Sequence, residues 1–328
     1  MPYDFRDIHP SKINNKGVKG ALSKFVIAQT IISTFRVNSF FHRYLLRKTV
    51  KKGEKGVSFN QVGEAGKAVA YRSGNPIPIQ DMPFNRHTVE IDDHTISSAR
   101  SIDEHEKHLS PVEYRPIFAR SIGERIAERF DQRACVTMMK AAEVADGTLV
   151  EGRPGGSTIY GTIDGVTTNV EKLAAFEAML KAAKKIFIEK KIPKDGWLLL
   201  ATSDIFELLF GDEKTVNQDY SNGNADDAQR IMRKYKGVTL YEVQYMPTYN
   251  INSEHESEEK YQYDATGVHA MLIHEHVAAT ADVHDVKIQE FKHEMTQRDV
   301  IFGEMWSGMN YFRPDCIVLF KEAPADPT

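Results

Sequence analysis

Cysteine, tryptophan and long apolar runs are what this 328-residue chain has least of. Its two cysteines, Cys135 and Cys316, stand 181 positions apart and neither belongs to a Cys-x-x-Cys pair. That excludes a disulfide framework and a thiolate zinc site of ordinary spacing. Both are expected as reduced, buried, small hydrophobes. The longest apolar stretches, such as Phe25 to Ala28 and Trp197 to Ala201, fall far short of the ~20 residues a membrane span requires. No basic segment leads into an apolar core and a small-residue cleavage site, so no secretory signal is expected and synthesis is expected in the cytoplasm. An excess of one charge is missing too: 42 Lys and Arg against 46 Asp and Glu leave a net charge of −4. With 41% hydrophobic and 27% charged residues, disorder and collagen-like fibre are poor fits, and composition alone points to no function.

What is present is an uneven distribution. Residues 1–60 carry twelve Lys or Arg against three Asp or Glu, so an excess of acid sits in the remainder. Such basic arms dock on acidic neighbouring surfaces or touch nucleic acid. Residues 1–20 read as an extended polar arm. From Ala21 to Arg47 the positions Leu22, Phe25, Val26, Ile32, Phe35, Phe40 and Leu45 recur near helical spacing. Too little follows locally to bury that stripe, so another chain is expected to hold it.

Lys51 to Gly56 is a glycine-rich charged turn. Val57 to Val62 and Lys67 to Tyr71 then alternate as two ribbon strands with few bulky apolar residues, which need another surface to lie on. His87 to Glu106 reads as a strand pair turning at Asp92-Asp93. Pro116 opens a long helix, with Phe118, Ile122, Ile126, Phe130 and Ala134 at four-residue steps. Gly147 to Gly165 reads as a turn-rich hairpin. A second helix is capped by Thr168 to Glu171 and stopped by Pro193 and Gly196. Buried strands are expected at 197–201, 238–243, 268–274 and 316–320, a short helix from Ser203 to Phe210, and an alternating strand at 283–291.

The chemistry motifs fail one by one. His105 with His108, and His274 with His276, could suggest metal, but no His-Glu-x-x-His signature occurs. Gly63 to Lys67 is followed by Ala68 where a phosphate loop needs Ser or Thr, and no Gly-x-Ser-x-Gly elbow exists. Asp92-Asp93, Asp226-Asp227 and Glu258-Glu259 suit turns or solvated faces better than acid–base pairs. No catalytic residue, cofactor or metal is expected. An arm, an unsupported ribbon, a long helix and a mixed α and β body describe a chain built to interlock with copies of itself.

In that order of elements the chain resembles tailed-bacteriophage major capsid proteins of the Hong Kong 97-type shell fold, most closely those of short-tailed phages. The resemblance runs from about residue 36 to 322. It is carried by Arg43 to Phe59, Ala70 to Gly74, Thr88 to Asp92 with Ser101 to Glu104, Leu198 to Leu209, Gly237 to Val243, His269 to His274, and Tyr311-Phe-Arg-Pro314 before Ile317 to Phe320. It implies an α+β capsid fold with an N-terminal arm at 1–49 and an extended loop at 50–86. A peripheral domain follows at 87–196 with a spine helix at about 116–145, then an axial domain at 197–282. Residues 283–310 return to the peripheral domain, and 311–328 form the last axial strand and tail.

The implied function is self-assembly into pentamers and hexamers of an icosahedral head around double-stranded DNA, located in the virion. A separate scaffolding protein, a portal and decoration proteins are the implied partners. Arg36, Arg43, Arg47, Lys51, Lys52, Glu54, Lys55, Phe59, Tyr71 and Arg72 are the candidate inter-subunit contacts. Covalent crosslinks, which some relatives form between Lys and Asn, are not expected, although Lys51, Lys52 and Lys55 are placed near the ribbon tip. The alternatives are a nanocompartment shell, a metal-dependent hydrolase built on the histidine pairs, and a DNA-binding module using residues 1–60.

Overall fold

A computed structural model describes residues 16–63, 70, 81–105, 114–210, 225–226, 231–232, 234–293 and 297–323. The chain divides into two units. No helix among the described residues is long and apolar enough to cross a membrane.

The first unit comprises the described part of Met1–Ser39, with Thr95–Phe130 and His284–Trp306. Its arm helix, Lys16–Asn38, ends nine residues before the expected Arg47. Ile27, Ile31 and Phe35 on it are buried within the unit, at 6%, 0% and 0% exposure. Of the expected stripe, Phe35 has its partner in the same chain and not in another, whereas the side chains of Leu22, Phe25 and Val26 lie outside the described residues. That partner is the long helix, Tyr114–Ala142, whose first part belongs to this unit. Phe35 meets Phe130 edge to face with ring centroids 5.7 Å apart.

Gly123 is what permits the approach. A Cβ there would lie 2.8 Å from the Ile31 carbonyl oxygen and 2.9 Å from Thr34 Cβ. Gly123→Val is expected to lose about 1–3 kcal/mol through overpacking and to expose the arm helix to limited proteolysis at temperatures where the parent resists. An antiparallel pair, Ile96–Asp103 with Arg298–Tyr311, meets the long helix where Gly303 approaches Ile122 and Ile126, and its register runs from Arg298↔Asp103 to Met305↔Ile96.

The second unit comprises Phe40–His94, Asp131–Val283 and Ser307–Thr328. Its centre is a six-stranded sheet in the order Ser157–Gly161, Ile317–Glu322, Val268–Ile273, Leu198–Ala201, Val238–Glu242, Lys234–Tyr235. Leu198 to Ala201, Val268 to Ile273 and Ile317 to Phe320 are buried along their whole length, as expected of central strands covered on both faces. The helix Asn169–Glu189 covers the sheet, bringing Phe176 to 5.7 Å from Phe320 and Phe187 to 5.5 Å from Trp197 between ring centroids. Beyond the end of that helix, Lys190 turns its ammonium to the Gly155 carbonyl at 2.7 Å and to Ser157 Oγ at 2.8 Å.

Two pairings differ from expectation. His87 to Glu106 is not one strand pair. Phe84–Glu90 pairs with Gly56–Val62, whereas Ile96–Asp103 pairs with the far strand Arg298–Tyr311. Alternation marks a strand but does not name its partner. Nor is Gly147 to Gly165 a hairpin: Ser157–Gly161 is its one strand among the described residues, and it pairs parallel with Ile317–Glu322. The preceding turns fold back on the end of the long helix, with Gly156 N–H donating to the Val144 carbonyl at 2.9 Å. Gly156 is required there, since an added Cβ would collide with the Ala141 carbonyl oxygen.

At the end of the last strand, Glu322 accepts hydrogen bonds from the N–H groups of Ile163 (2.9 Å) and Asp164 (3.3 Å) and contacts His269 Nε2 at 2.8 Å. Burial disfavours the charged carboxylate, but these three partners outweigh it and hold the pKa below the ordinary glutamate value. Because the folded value is the lower one, the carboxylate adds stability that is fully present above ~4.3 and is lost as pH falls through the folded value. Glu322→Gln is accordingly expected to lower the urea midpoint at pH 7 and to lower it progressively less as the pH is taken down through the acid range.

Candidate assembly surfaces

The described ribbon is an antiparallel pair in the register Gly56↔Glu90 to Val62↔Phe84. Alternation gives it two unlike faces. On the inner face Phe59 (2% exposed) and Val89 (0%) join Val50, Ala279 and Ala281 in one buried cluster, against which Leu46, Val57, Ile91 and Phe312 also pack. The strand Leu46–Thr49 runs beside it, parallel to residues 279–282. Gln61 Nε2 donates to the Phe312 carbonyl at 2.5 Å and closes that face. Apolar side chains are exposed toward the other end of the ribbon, with Val62 at 42%, Met82 at 55% and Phe84 at 63%. Val62 and Phe84 are paired residues of the ladder, so this apolar surface has a fixed shape.

The register also places the basic turn. Ile91 N–H donates to the Lys55 carbonyl at 3.0 Å, and Glu54 N–H to the Lys51 carbonyl at 3.1 Å. Lys51, Lys52, Glu54 and Lys55 are exposed at the root of the ribbon, not near its tip as the sequence reading had them. The far end lies between Val62 and Phe84, because the strands run antiparallel from Gly56↔Glu90.

Among the other candidate contacts, Arg36 is exposed on the arm helix. Arg47 is engaged inside the subunit, its Nε donating to Asp282 Oδ2 at 2.8 Å with a further contact to His42. Phe59 is wholly withdrawn into the cluster above, which corrects its reading as a surface contact; a ribbon thought unsupported has its support in this chain. The side chain of Arg43, and Tyr71 and Arg72 entirely, lie outside the described residues.

The ribbon's return is anchored by a buried ionic group that the sequence reading placed on solvated turns. Arg133, from the second half of the long helix, donates from Nε and Nη2 to the Glu256 carboxylate at 3.1 and 2.9 Å, and from Nη1 to Asp92 Oδ2 at 3.2 Å. Their side chains are only 5%, 3% and 1% exposed. Tyr261 donates its hydroxyl proton to Asp92 Oδ2 at 2.8 Å and accepts the Met309 N–H at 3.0 Å, while Lys260 pairs with the other Asp92 oxygen. Burial raises the Asp92 pKa despite the opposing pull of Lys260, Tyr261 and Arg133. A second carboxylate on the same helix, Asp131, accepts from the N–H groups of Phe40 (2.8 Å) and Phe41 (3.4 Å), the turn that follows the arm helix. Neither role has a local sequence signal.

Little in this arrangement suits nucleophilic chemistry. Burial pushes both thiols up, Cys135 well above its ordinary value and Cys316 to about 12, and so keeps them protonated. His274 Nε2 contacts the Asp195 carbonyl at 3.0 Å, His276 stands exposed in a turn with φ of 66°, and His108 lies outside the described residues.

No protein-family profile matches the sequence, and no curated protein is detectably similar to it. Solved structures do match. The capsid structure of cyanophage P-SCSP1u superposes with a TM-score of 0.73 at 19% identity, covering 88% of this chain and 89% of the other. The mature capsid of bacteriophage PhiM1 gives 0.72 at 17% identity, with 88% of each chain covered. The chain has the Hong Kong 97-type capsid fold. Mycobacterium phage Che8 matches at a TM-score of 0.59 and 13% identity over 86% of this chain and 90% of its own. The capsid fold covers most of the chain, in agreement with the α+β architecture implied by the order of motifs.

Proposed function

We propose that copies of this chain assemble as pentamers and hexamers into the closed icosahedral head of a tailed phage, enclosing double-stranded DNA, and that the chain has no catalytic role. The observation that carries this reading is the capsid fold over 88% of the chain, at near-equal coverage of the matched capsid subunit. The two-faced ribbon supports it. Its inner face is buried at home, while Val62, Met82 and Phe84 leave apolar surface for a neighbouring copy, and many such contacts in a closed shell reinforce one another. Arg36 and the root cluster Lys51, Lys52, Glu54 and Lys55 are the charged contacts proposed to fix orientation. A separate scaffolding protein, a portal and decoration proteins are the proposed partners, and the virion the proposed location.

The test is negative-stain microscopy of the expressed chain, alone and with the scaffolding partner encoded beside it. Closed shells in either case support the reading, and monomers in both sink it. Nucleic acid inside mature particles separates a phage head from a nanocompartment, which would hold protein cargo instead.

A further inference from the structure

Three side chains from distant segments converge beside a cleft in the second unit. Asp164 follows the strand Ser157–Gly161, His269 lies on Val268–Ile273, and Glu322 ends Ile317–Glu322. One ligand atom from each lies within 4.8 Å of the others. His269 Nε2 is 2.8 Å from Glu322 Oε2 and 4.0 Å from Asp164 Oδ2. Metal–ligand bonds of ~2.0–2.2 Å place neighbouring donor atoms about 3–4 Å apart, so small side-chain rotations suffice to surround an ion.

The donors are also held in place. Thr202 donates from both N–H and Oγ1 to the His269 carbonyl, at 3.1 and 3.0 Å, and Ile163 and Asp164 donate backbone N–H groups to Glu322. Outer contacts of this kind orient metal ligands. A cleft of about 440 Å³, lined among others by Asp164, His269, Thr202, Asp204 and Thr248, adjoins the group and leaves room for a water to complete the coordination.

We propose that Asp164, His269 and Glu322 bind one divalent transition-metal ion of the zinc or manganese class. One imidazole nitrogen and two carboxylate oxygens suit such borderline ions better than a calcium cage of oxygens alone. The ion takes the place of the direct His269–Glu322 contact, and its binding clamps the last strand to the 163–164 turn. Distance in sequence hides the group, since its three members lie on separate segments and its single histidine has no histidine neighbour at ligand spacing. The proposal does not depend on shell formation and holds for the unassembled subunit.

The experiment is a calorimetric titration of chelator-treated full-length protein with zinc chloride, repeated on two variants. The expected result is one equivalent bound, a raised melting temperature, at least tenfold weaker binding in Asp164→Asn, and loss of binding in Glu322→Gln. Asp164 is an exposed side chain, so its variant keeps the fold and the comparison stands whatever Glu322→Gln does to stability. No saturable binding by the parent, or equal binding by parent and Asp164→Asn, overturns the proposal.

Discussion

Excising residues 64–80, so that Gly63 runs directly into Asp81, leaves a folded subunit that forms no closed shells. The register explains why the fold survives. Gly63 N–H already donates to the Pro83 carbonyl at 2.8 Å, so the shortened connection is a two-residue turn of Asp81 and Met82 on an intact ladder. Phe59, Val89 and their buried neighbours are untouched, and shortening a loop adds at most a little stability. What disappears is the connection between Gly63 and Asp81, the segment proposed to reach a neighbouring copy. Shell yield, read by sedimentation, is expected to fall at least tenfold while the urea midpoint of the subunit holds. A larger cut through 53–74 tests nothing so cleanly, because it removes Phe59 and collapses the cluster. Normal particles from the 64–80 deletion contradict the interlocking role.

Arg133→Met is expected to destabilise the subunit by about 3–5 kcal/mol, the largest single-residue effect in the second unit. The guanidinium is the shared partner of Asp92 and Glu256, all three nearly without solvent, and removing it takes the bidentate cation from buried Glu256 and leaves Asp92 to Lys260 and Tyr261. Non-additivity distinguishes this account from simple loss of packing. Glu256→Gln in the Arg133→Met background should cost far less than the same change in the parent, since its charge no longer has a partner to lose. Equal costs in both backgrounds, measured by urea unfolding, contradict the network. Asp92 directly follows the ribbon's return strand, so the variant is also expected to lower shell yield below the temperature at which the subunit unfolds.

The sequence carried the elements better than their partners. The long helix was legible within three residues at each end from Pro116 and the four-residue steps, and the strands at 198–201, 268–273 and 317–322 from their unbroken apolar runs. Pairing was not. Phe59 meets Ala279 and Ala281 more than two hundred positions away, and two alanines announce nothing about what they cover. The arm helix was assigned a partner outside the chain because its stripe was visible and its seat was not, although Gly123 in the middle of a strong helix was the available sign of a close crossing. Asp92 and Glu256 looked solvated because both sit in acidic runs. Only the fold shows which member of each run faces Arg133.

The central claim, that copies of this chain close into a shell, is tested most directly by the mass and symmetry of its assemblies in solution. Light scattering with cryo-microscopy of the purified product, formed alone or with a candidate scaffolding protein, is predicted to give one discrete class of closed particles built of fivefold and sixfold rings, with the ribbon of each subunit lying on a neighbour. A product that stays monomeric, or that grows into open aggregates of continuous mass, contradicts it.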